Sequence, residues 1–280
     1  MKRLAAFRAA VVELGGWRRI LAMRPMSAVH VLEYQLLGYR RSWRGSVFSS
    51  FLSPVLFLAA IGVGLGSYID KGNPMAGAGV TYLAFLAPGL LAANAMQTAQ
   101  GEATYPVMAG LTWQRTFGAM VTTPLRPFDV VIGTFLFITV RLVIVGGVFV
   151  LVAAAFGAVD LVRGVLMLPA AILTGLAFAA PITAFAATQK SDGNFAALFR
   201  FVITPLFLFS GTFFPISQLP PLIQPLAYLT PLWHGVSLTR GIALGTIDPL
   251  VAFVNIAVLL AFAIVGTLLS AVLFSRRLAS

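Results

Sequence analysis

Long apolar runs separated by short polar links dominate the chain from residue 45 onward. A helix needs roughly 20 apolar residues to cross the hydrocarbon core of a bilayer, and the intervals between charged residues supply six stretches of about that length. The predicted spans are 45–69, 80–101, 128–156, 164–188, 197–213 and 249–274. An even number of spans returns both termini to one side. The pattern therefore predicts an all-α integral membrane protein with six transmembrane helices.

The stretch between the fifth and sixth predicted spans is apolar but repeatedly broken by proline. Residues 209–244 contain five prolines, and no charged residue lies between Arg200 and Arg240. Proline interrupts helices, and irregular backbone at membrane depth is tolerated only where protein or trapped water satisfies its polar groups. We therefore expect residues 214–240 to form a re-entrant helical hairpin that dips into the bilayer.

Residues 1–44 have a different character and are treated as a separate interfacial region ahead of the transmembrane domain, residues 45–280. They hold nine of the nineteen Lys and Arg residues, and apolar side chains recur at three- and four-residue steps from Leu4 to Leu21. This pattern is typical of an N-terminal amphipathic helix on an anionic membrane surface, with a solvated charged tail as the alternative. Val29–Trp43 is interpreted as an interfacial elbow.

Composition and charge agree with a membrane protein and set its orientation. The chain is 59% hydrophobic and 10% charged, with a mean hydropathy of +0.95 and a net charge of +11. Fifteen Lys and Arg residues fall in the termini and the links after spans two and four, whereas the opposite links hold Lys71, Arg163 and Arg240. By the positive-inside rule, both termini are expected in the cytoplasm. The basic residues set topology, so nucleic acid is not an expected partner.

Enzymatic motifs are missing from the sequence. It contains no cysteine, no GxxxxGK[ST] phosphate loop and no GxSxG element, and its two histidines, His30 and His234, are far apart. We therefore expect no catalytic, cofactor-binding or metal site. All eight acidic residues lie at or outside the predicted span ends, so an intramembrane carboxylate for a driving ion is not expected. Energy for uphill transport would have to come from a partner.

The cytoplasmic link after span two offers a place for such a partner. Residues 112–122 are predicted to form a short helix with Trp113, Phe117 and Met120 on one exposed face. Exposed aromatic and Met side chains suit docking into a groove of another protein. A surface helix lying on lipid is the alternative.

Arg141 lies near the middle of span three, with no acidic residue near it in sequence. An ionisable residue at this depth normally faces a bundle interior or water and is a functional candidate. On span two, Asn94, Gln97 and Thr98 share a helical face and could hydrogen-bond Arg141 or line a path for a polar headgroup. Polar contacts that only join helices are an equal alternative.

Three segments resemble the ABC-2 permeases, in particular the nodulation-factor and daunorubicin-type exporters. They are RRSWRG at 40–45, WQRTFGAMVTTPLRPFDVVIG at 113–133 and LFLFSGTFFPISQLPPLIQPLAYLTPLWHGVSLTRGIALG at 206–245. The resemblance extends from about residue 30 to the end, and its most specific part is the segment after span five. The first 25 residues are not required by the pattern.

The resemblance implies the permease subunit of an ATP-binding-cassette exporter that moves an amphiphile such as a lipid, glycolipid, polysaccharide or drug. It implies pairing with a second permease, expected to be a copy of this chain, and with two cytoplasmic ATPase subunits that bind ATP and Mg. The residues that would contact the ATPase are Trp113, Gln114, Arg115, Phe117, Met120 and Thr123, and those that would form an extracytoplasmic gate are Phe213, Phe214, Pro215 and Leu219. A self-sufficient carrier or channel, and a structural scaffold, remain alternatives.

Overall fold

A computed structural model describes residues 25–66 and 80–278. These residues form helices and connecting turns without a β-strand, which confirms the predicted all-α class. The predicted amphipathic helix at the N-terminus and the polar link around residues 70–73 lie outside the described residues.

Six helical segments of the described chain carry most of the residues. They are α1 (Pro25–Phe57, continued by π-helical turns over Leu58–Leu65), α2 (Tyr82–Ala103), α5 (Pro127–Ala155), α6 (Leu161–Thr188), α10 (Pro231–Leu244) and α11 (Pro249–Leu278). The shorter ones are α3 (Tyr105–Met108, continued by a π-helical stretch over Ala109–Trp113), α4 (Thr116–Val121), α7 (Gly193–Leu198), α8 (Thr204–Phe209) and α9 (Gln224–Tyr228). A π-helical turn, Phe199–Ile203, joins α7 to α8.

Three helices of the described chain, α5, α6 and α11, are long and apolar enough to cross a membrane. Helix α6 is central, because it packs against α2, α5, α10 and α11, while α1 runs beside α5. The continuous helical stretch Gly193–Phe209 is also apolar but shorter. Predicted spans two, three, four and six correspond in position to α2, α5, α6 and α11. Predicted span five corresponds to the stretch from α7 to α8.

Acidic and hydroxyl side chains fix where the helices begin. Asp160 accepts hydrogen bonds from the backbone N–H groups of Val162 and Arg163 at 3.1 and 3.4 Å. Asp248 does the same for Leu250 and Val251 at the start of α11. Because an N-cap carboxylate satisfies free N–H groups and complements the helix dipole, several acidic residues lie at span ends for a structural reason. We name the two ends of the bundle after residues at the ends of α5: the Arg126 end and the Asp160 end.

Close packing of the helices depends on small residues. A Cβ atom added at Gly266 of α11 would lie 2.6 Å from the backbone nitrogen of Pro181, and one added at Gly235 of α10 would lie 2.2 Å from Thr174 Oγ1. Without side chains, these positions let α11 and α10 approach α6 closely, as is typical of helix packing in membranes.

Helix α10 lies along only part of α6. Gly235 faces Thr174 near the middle of α6, and the Ala243 carbonyl accepts a 3.0 Å hydrogen bond from Arg163 Nη1 near the start of α6. The two helices are therefore antiparallel, and α10 covers the half of α6 nearest the Asp160 end. It begins at Pro231 after a Thr230 cap and ends at Leu244, followed by the capping residue Gly245, whose φ of 69° lies in the left-handed region.

The predicted boundary between residues 44 and 45 falls inside α1, which passes from the predicted elbow into the predicted first span without interruption. The basic cluster at the boundary does not break the helix because arginine has a high helix propensity. A change from polar to apolar composition therefore does not mark a helix end here.

Candidate functional site

The segment Tyr105–Thr123, called here the 105–123 segment, lies at the Arg126 end. Helix α3 and the following π-helical stretch run to Trp113, the chain turns at Gln114 and Arg115, and α4 begins at Thr116. Arg115 has a φ of 54°, a left-handed conformation that costs a non-glycine residue about 1–2 kcal/mol. The prediction of one continuous helix over 112–122 is therefore wrong. Neither glycine nor proline occupies the break, so the sequence gives no indication of it.

Exposure differs among the residues predicted to contact an ATPase. Trp113 is 54% exposed, and Gln114, Arg115 and Thr123 are also exposed. Phe117 is only 4% exposed, and Met120 is half-buried against the core. The prediction that Trp113, Phe117 and Met120 share one exposed face is therefore wrong for Phe117, because the turn at Arg115 directs α4 back towards the bundle.

Phe117 joins α4 to the rest of the bundle. Its ring centroid lies 5.9 Å from that of Phe274 in α11. A Cβ atom at Gly110 would lie 2.6 Å from the Phe117 ring, so the ring lies against the backbone of the preceding π-helical stretch. Phe117 is thus a packing residue between the 105–123 segment and α11.

Arg277 forms a second connection of the same kind. Its Nη2 donates to Thr112 Oγ1 at 2.6 Å, while its Nη1 donates to the carbonyls of Ala187, at 2.7 Å, and Gln189. The 105–123 segment is therefore bonded, through one guanidinium, to the ends of both α6 and α11. From sequence, Arg277 contributes only to the count of cytoplasmic charges. Its contacts with residues far away in sequence could not be anticipated.

Arg141 is paired with groups from two other helices. Its Nε donates to Glu102 Oε1 at 2.8 Å, and its Nη1 donates to Tyr39 Oη at 2.7 Å. The side chains of Arg141 and Glu102 are 11% and 20% exposed, and the guanidinium carbon lies 4.6 Å from the centroid of the Tyr39 ring. We call Arg141, Glu102 and Tyr39 the arginine cluster. It joins α1, the end of α2 and the middle of α5.

The arginine cluster borders a cavity of about 620 Å³ between α1, α5 and the 105–123 segment. Asn94 and Gln97 do not belong to it. They border a much smaller pocket near Pro54 and Phe207, and the eight residues from Asn94 to Glu102 correspond to about 12 Å along α2. The expectation that Asn94 or Gln97 bonds Arg141 is therefore wrong. The partner of Arg141 is Glu102, which lies near the C-terminal end of α2, the helix that also carries Asn94 and Gln97.

Near the Asp160 end, Arg240 connects three segments. Its Nε donates to the carbonyl of Phe85 at 3.2 Å, and its Nη2 donates to those of Gly211 and Thr212 at 2.9 and 3.3 Å. The guanidinium carbon lies 3.7 Å from the centroid of the Phe85 ring, within the range of a cation–π interaction. Arg240, Phe85, Gly211 and Thr212 are called here the Arg240 clamp. Arg240, like Arg141, is a lone charge in apolar sequence, and such a charge is a functional candidate.

The predicted gate residues follow this clamp directly. The Phe213 ring lies 5.0 Å from that of Phe207 in α8, and the Phe213 carbonyl accepts a 3.2 Å hydrogen bond from Tyr82 Oη. Leu219 is buried in a small apolar cluster that Phe214 also contacts. Pro215 caps the short 3-10 turn Ile216–Gln218. Phe213 therefore contacts α2 and α8, whereas Phe214 and Leu219 belong to a separate small cluster that also includes Trp233 of α10.

His234 of α10 belongs to a buried polar chain. Its Nδ1 is 2.7 Å from Asn255 Oδ1, and Asn255 Nδ2 donates to Ser237 Oγ at 3.0 Å. With the amide donating to Ser237, its oxygen accepts from the imidazole N–H. His234 therefore packs and hydrogen-bonds within the bundle, and its bond to Asn255 joins α10 to α11.

Comparison with known proteins agrees with this architecture. The profile of the ABC-2 type transporter family matches residues 28–244. The chain is 31% identical to Nodulation protein J of Rhizobium meliloti (strain 1021) over 266 residues, 94% of this chain and 99% of that protein. It is 34% identical to Nodulation protein J of Rhizobium leguminosarum bv. trifolii, over 86% of this chain and 90% of that protein.

A further relative is less similar in sequence. The chain is 23% identical to the Inner membrane transport permease YadH of Escherichia coli (strain K12), over 79% of this chain and 84% of that protein. The profile match covers well over half of the chain, and it includes the 105–123 segment, the arginine cluster and the Arg240 clamp. The chain belongs to the ABC-2 type transporter family and is a membrane subunit of an ABC transporter.

Proposed function

We propose that this chain is the permease subunit of an exporter driven by a separate cytoplasmic ATPase. The observation that carries the proposal is the arrangement of the 105–123 segment. Trp113, Gln114 and Arg115 are exposed at the Arg126 end, while Phe117 and Arg277 attach the same segment to α11 and α6. A partner that displaces the exposed turn would therefore move the ends of two long helices.

The acidic residues support an external source of energy. Among the described residues, Asp129, Asp160 and Asp248 accept hydrogen bonds at helix starts, and Glu102 is paired with Arg141. A carrier driven by protons or sodium ions usually needs an intramembrane carboxylate available for the ion. We propose instead that ATP and Mg bind to the ATPase and that this chain holds neither.

The proposed topology has six spans in a bacterial inner membrane, with the Arg126 end and both termini in the cytoplasm. The charge asymmetry of the links supports this orientation. The stretch from α8 to α10 is proposed to be re-entrant. In support, α10 lies along only the half of α6 nearest the Asp160 end. In the Arg240 clamp, Arg240 also donates hydrogen bonds to the backbone carbonyls of Gly211 and Thr212, in the turn after α8. Irregular backbone at membrane depth requires such partners.

We propose an amphiphile as the substrate, in the class of lipids, glycolipids, polysaccharides or drugs. Its exit would be controlled by Phe213, Phe214, Pro215 and Leu219, which belong to the irregular stretch after α8, near the Asp160 end. Opening would require rearrangement around the Arg240 clamp. The proposed complex contains two ATPase subunits and a second permease, which would be a copy of this chain.

Purification of the tagged chain from its native membrane in mild detergent tests this proposal. We expect a soluble ATPase to co-purify in equal amount, and we expect the complex in proteoliposomes to move a fluorescent amphiphile only when ATP and Mg are added on the ATPase side. A Walker A lysine substitution in the ATPase is the control and should stop transport without releasing the permease. ATP-independent transport by the chain alone would overturn the proposal in favour of a carrier or channel.

A further inference from the structure

The cavity that the arginine cluster borders, called here the cluster cavity, has a mostly polar set of side chains in its wall. Its volume of about 620 Å³ lies within the range of about 300–1,000 Å³ for sites that bind small molecules. The wall combines aromatic rings, hydroxyl groups and amides, from Tyr34, Gln35, Tyr39, Gln114 and Thr134. An apolar occupant would exclude water from these groups without replacing its hydrogen bonds. The lining therefore favours a ligand with a polar headgroup.

One positive charge at the cluster cavity has no counter-charge. Arg41 borders the cavity, is exposed and forms no ion pair with any residue that the structure describes. The other two charged groups in the wall, Arg141 and Glu102, are paired with each other at 2.8 Å. The cavity therefore keeps the positive charge of Arg41, which favours an anionic ligand.

The depth of Arg41 makes its unpaired charge costly in the absence of a ligand or water. Two residues before it, Tyr39 accepts a hydrogen bond from Arg141 of α5, so Arg41 lies beside the middle of a helix long enough to cross a membrane. An ionisable side chain at such a depth normally faces a polar interior and has a partner. The cavity extends from this level to Gln114 and Thr116 of the 105–123 segment, and so connects the guanidinium with the Arg126 end.

A stripe of residues along α1 gives the cavity an apolar rim. Tyr34, Leu37, Gly38 and Arg41 all border it, and their three- and four-residue spacing places them on one face of the helix. Tyr34 is 48% exposed and Leu37 is 64% exposed, so the cavity opens beside apolar surface. A ligand that occupies both parts is an amphiphile, with an anionic group at Arg41 and an apolar chain that leaves past Leu37.

We propose that the cluster cavity binds the anionic headgroup of the amphiphile to be exported and that Arg41 neutralises its charge. The anionic group is a phosphate or a carboxylate, since a guanidinium forms paired hydrogen bonds with either. This inference rests on the proposed export function and narrows its substrate class to anionic amphiphiles. Gln114 belongs both to the cavity wall and to the turn proposed to contact the ATPase, so a bound headgroup would lie against that turn.

Binding to the purified full-length chain, without the ATPase, tests the site separately from transport. The probes are dihexanoyl phosphatidylglycerol and dihexanoyl phosphatidylcholine, which have the same chains and differ in net charge, and glycerol phosphate, which has the anionic group without a chain. Isothermal titration calorimetry in a nonionic detergent measures the three affinities. We expect phosphatidylglycerol to bind about tenfold more tightly than phosphatidylcholine, the effect of one hydrogen bond to a charged group. Glycerol phosphate should bind more weakly than phosphatidylglycerol because it has no chain.

Substitutions of neighbouring arginines locate the charge that is responsible. Arg41→Gln should remove the preference for phosphatidylglycerol, and Arg41→Lys, which keeps the positive charge, should retain most of it. Arg40→Gln is the matched control, because Arg40 is also exposed but does not border the cavity. Its replacement should leave the preference unchanged.

A larger side chain at Gly38 tests whether the ligand lies inside the cavity. Gly38 borders the cavity, and a Cβ atom there would have nothing within 4 Å, so Gly38→Leu should fold and should weaken binding of both lipids. Gly45→Leu is the matched control on the same helix, since a Cβ atom at Gly45 is equally unobstructed and this residue lies outside the cavity wall. It should bind both lipids like the parent, and size-exclusion chromatography checks that each variant is folded.

Transport by the complex with its ATPase gives a second readout. Arg41→Gln should raise the KM for phosphatidylglycerol about tenfold while kcat stays the same, because a contact made equally in the ground state and the transition state affects only KM. Transport of phosphatidylcholine should not change.

Three results of the binding experiment would contradict the inference: equal affinity for the two lipids, equal effects of Arg40→Gln and Arg41→Gln, or binding of glycerol phosphate as tight as that of phosphatidylglycerol. The last would assign the cavity to a soluble anion. Binding that depends on Arg41 without ATP-driven transport would support the site and contradict the proposed exporter. ATP-driven transport of phosphatidylglycerol that Arg41→Gln leaves unchanged would support the exporter and overturn the inference.

Discussion

Arg277 Nη2 donates a 2.6 Å hydrogen bond to Thr112 Oγ1, joining residues that are 165 positions apart in the chain. Because the same guanidinium also bonds the end of α6, the 105–123 segment cannot move freely from α6 and α11. In an ATP-driven exporter, this bond would determine whether motion of the segment reaches the spanning helices.

Replacement of Arg277 by Met should uncouple ATP hydrolysis from transport. The variant loses the hydrogen bond from a charged donor to Thr112, and such a bond contributes about 1.5–3 kcal/mol, so the attached state of the segment should be disfavoured by about ten- to a hundredfold. We expect the amount of amphiphile moved per ATP hydrolysed to fall by a similar factor in proteoliposomes, while ATP hydrolysis continues.

Arg276→Met is the matched control for this experiment. Arg276 is adjacent and exposed, and its replacement removes the same charge from the same helix end. The control should retain coupled transport. If both variants behave alike, the effect comes from the charge at the end of α11, and the bond to Thr112 has no part in coupling.

Variants at Trp113 and Phe117 should distinguish a role in contacting the ATPase from a role in packing the bundle. Trp113→Ala removes an exposed ring and should weaken co-purification with the ATPase without changing the melting temperature of the permease in detergent. Phe117→Ala removes a buried ring that contacts Phe274, and loss of such a ring costs about 3–5 kcal/mol, so its melting temperature should fall.

Phe253→Ala is a control for the loss of an exposed aromatic side chain, since Phe253 lies on α11 near the Asp160 end and is exposed. It should retain both ATPase binding and thermal stability. Normal ATPase binding by Trp113→Ala would exclude the exposed turn as the contact surface.

The positions of the long helices could be predicted because they follow from the distribution of charge and apolar length. Helices α2, α5, α6 and α11 begin and end within a few residues of the predicted spans. These limits are local properties of the sequence: proline or a capping side chain at the start, as at Pro127 and Asp160, and a polar link after the end.

The contacts of the candidate sites could not be predicted, because they do not follow from local properties of the sequence. The turn at Arg115 has no glycine or proline to indicate it, and the burial of Phe117 depends on that turn. The pairing of Arg141 with Glu102 and the bond from Arg277 to Thr112 join distant parts of the chain. Periodicity within one helix contains no information about which side chain of another helix will lie opposite.

The ion pair between Arg141 and Glu102 should be structural. Replacing Arg141 with Leu leaves the Glu102 carboxylate largely buried without its partner, and breaking a buried pair in this way costs about 3–5 kcal/mol. We expect a lower yield of folded protein from Arg141→Leu, measured by size-exclusion chromatography in detergent. The double variant with Glu102→Leu should recover part of that yield because no unpaired charge remains.

Transport by the folded fraction distinguishes the two roles considered for Arg141. If the double variant, matched for folded protein, transports at a rate near that of the parent, the pair holds α2 and α5 together. A severe loss of transport in a well-folded double variant would contradict this conclusion and restore Arg141 as part of the path.

Gly89 of α2 should be essential to the Arg240 clamp because no side chain fits beside it. A Cβ atom there would lie 3.0 Å from both Arg240 Nη2 and the Thr212 carbonyl oxygen. Gly89→Ala should therefore displace the guanidinium or the turn and destabilise the protein by about 1–3 kcal/mol, as overpacking typically does. Gly147→Ala is the matched control, since nothing lies within 4 Å of a Cβ at that position of α5, and the higher helix propensity of alanine should leave its stability equal or slightly higher. Thermal unfolding in detergent measures both variants.

A site-specific label on Leu222, which is exposed in the same stretch, should become more mobile only in Gly89→Ala. Equal stability and equal label mobility in the two variants would mean that the clamp does not hold the turn before the predicted gate.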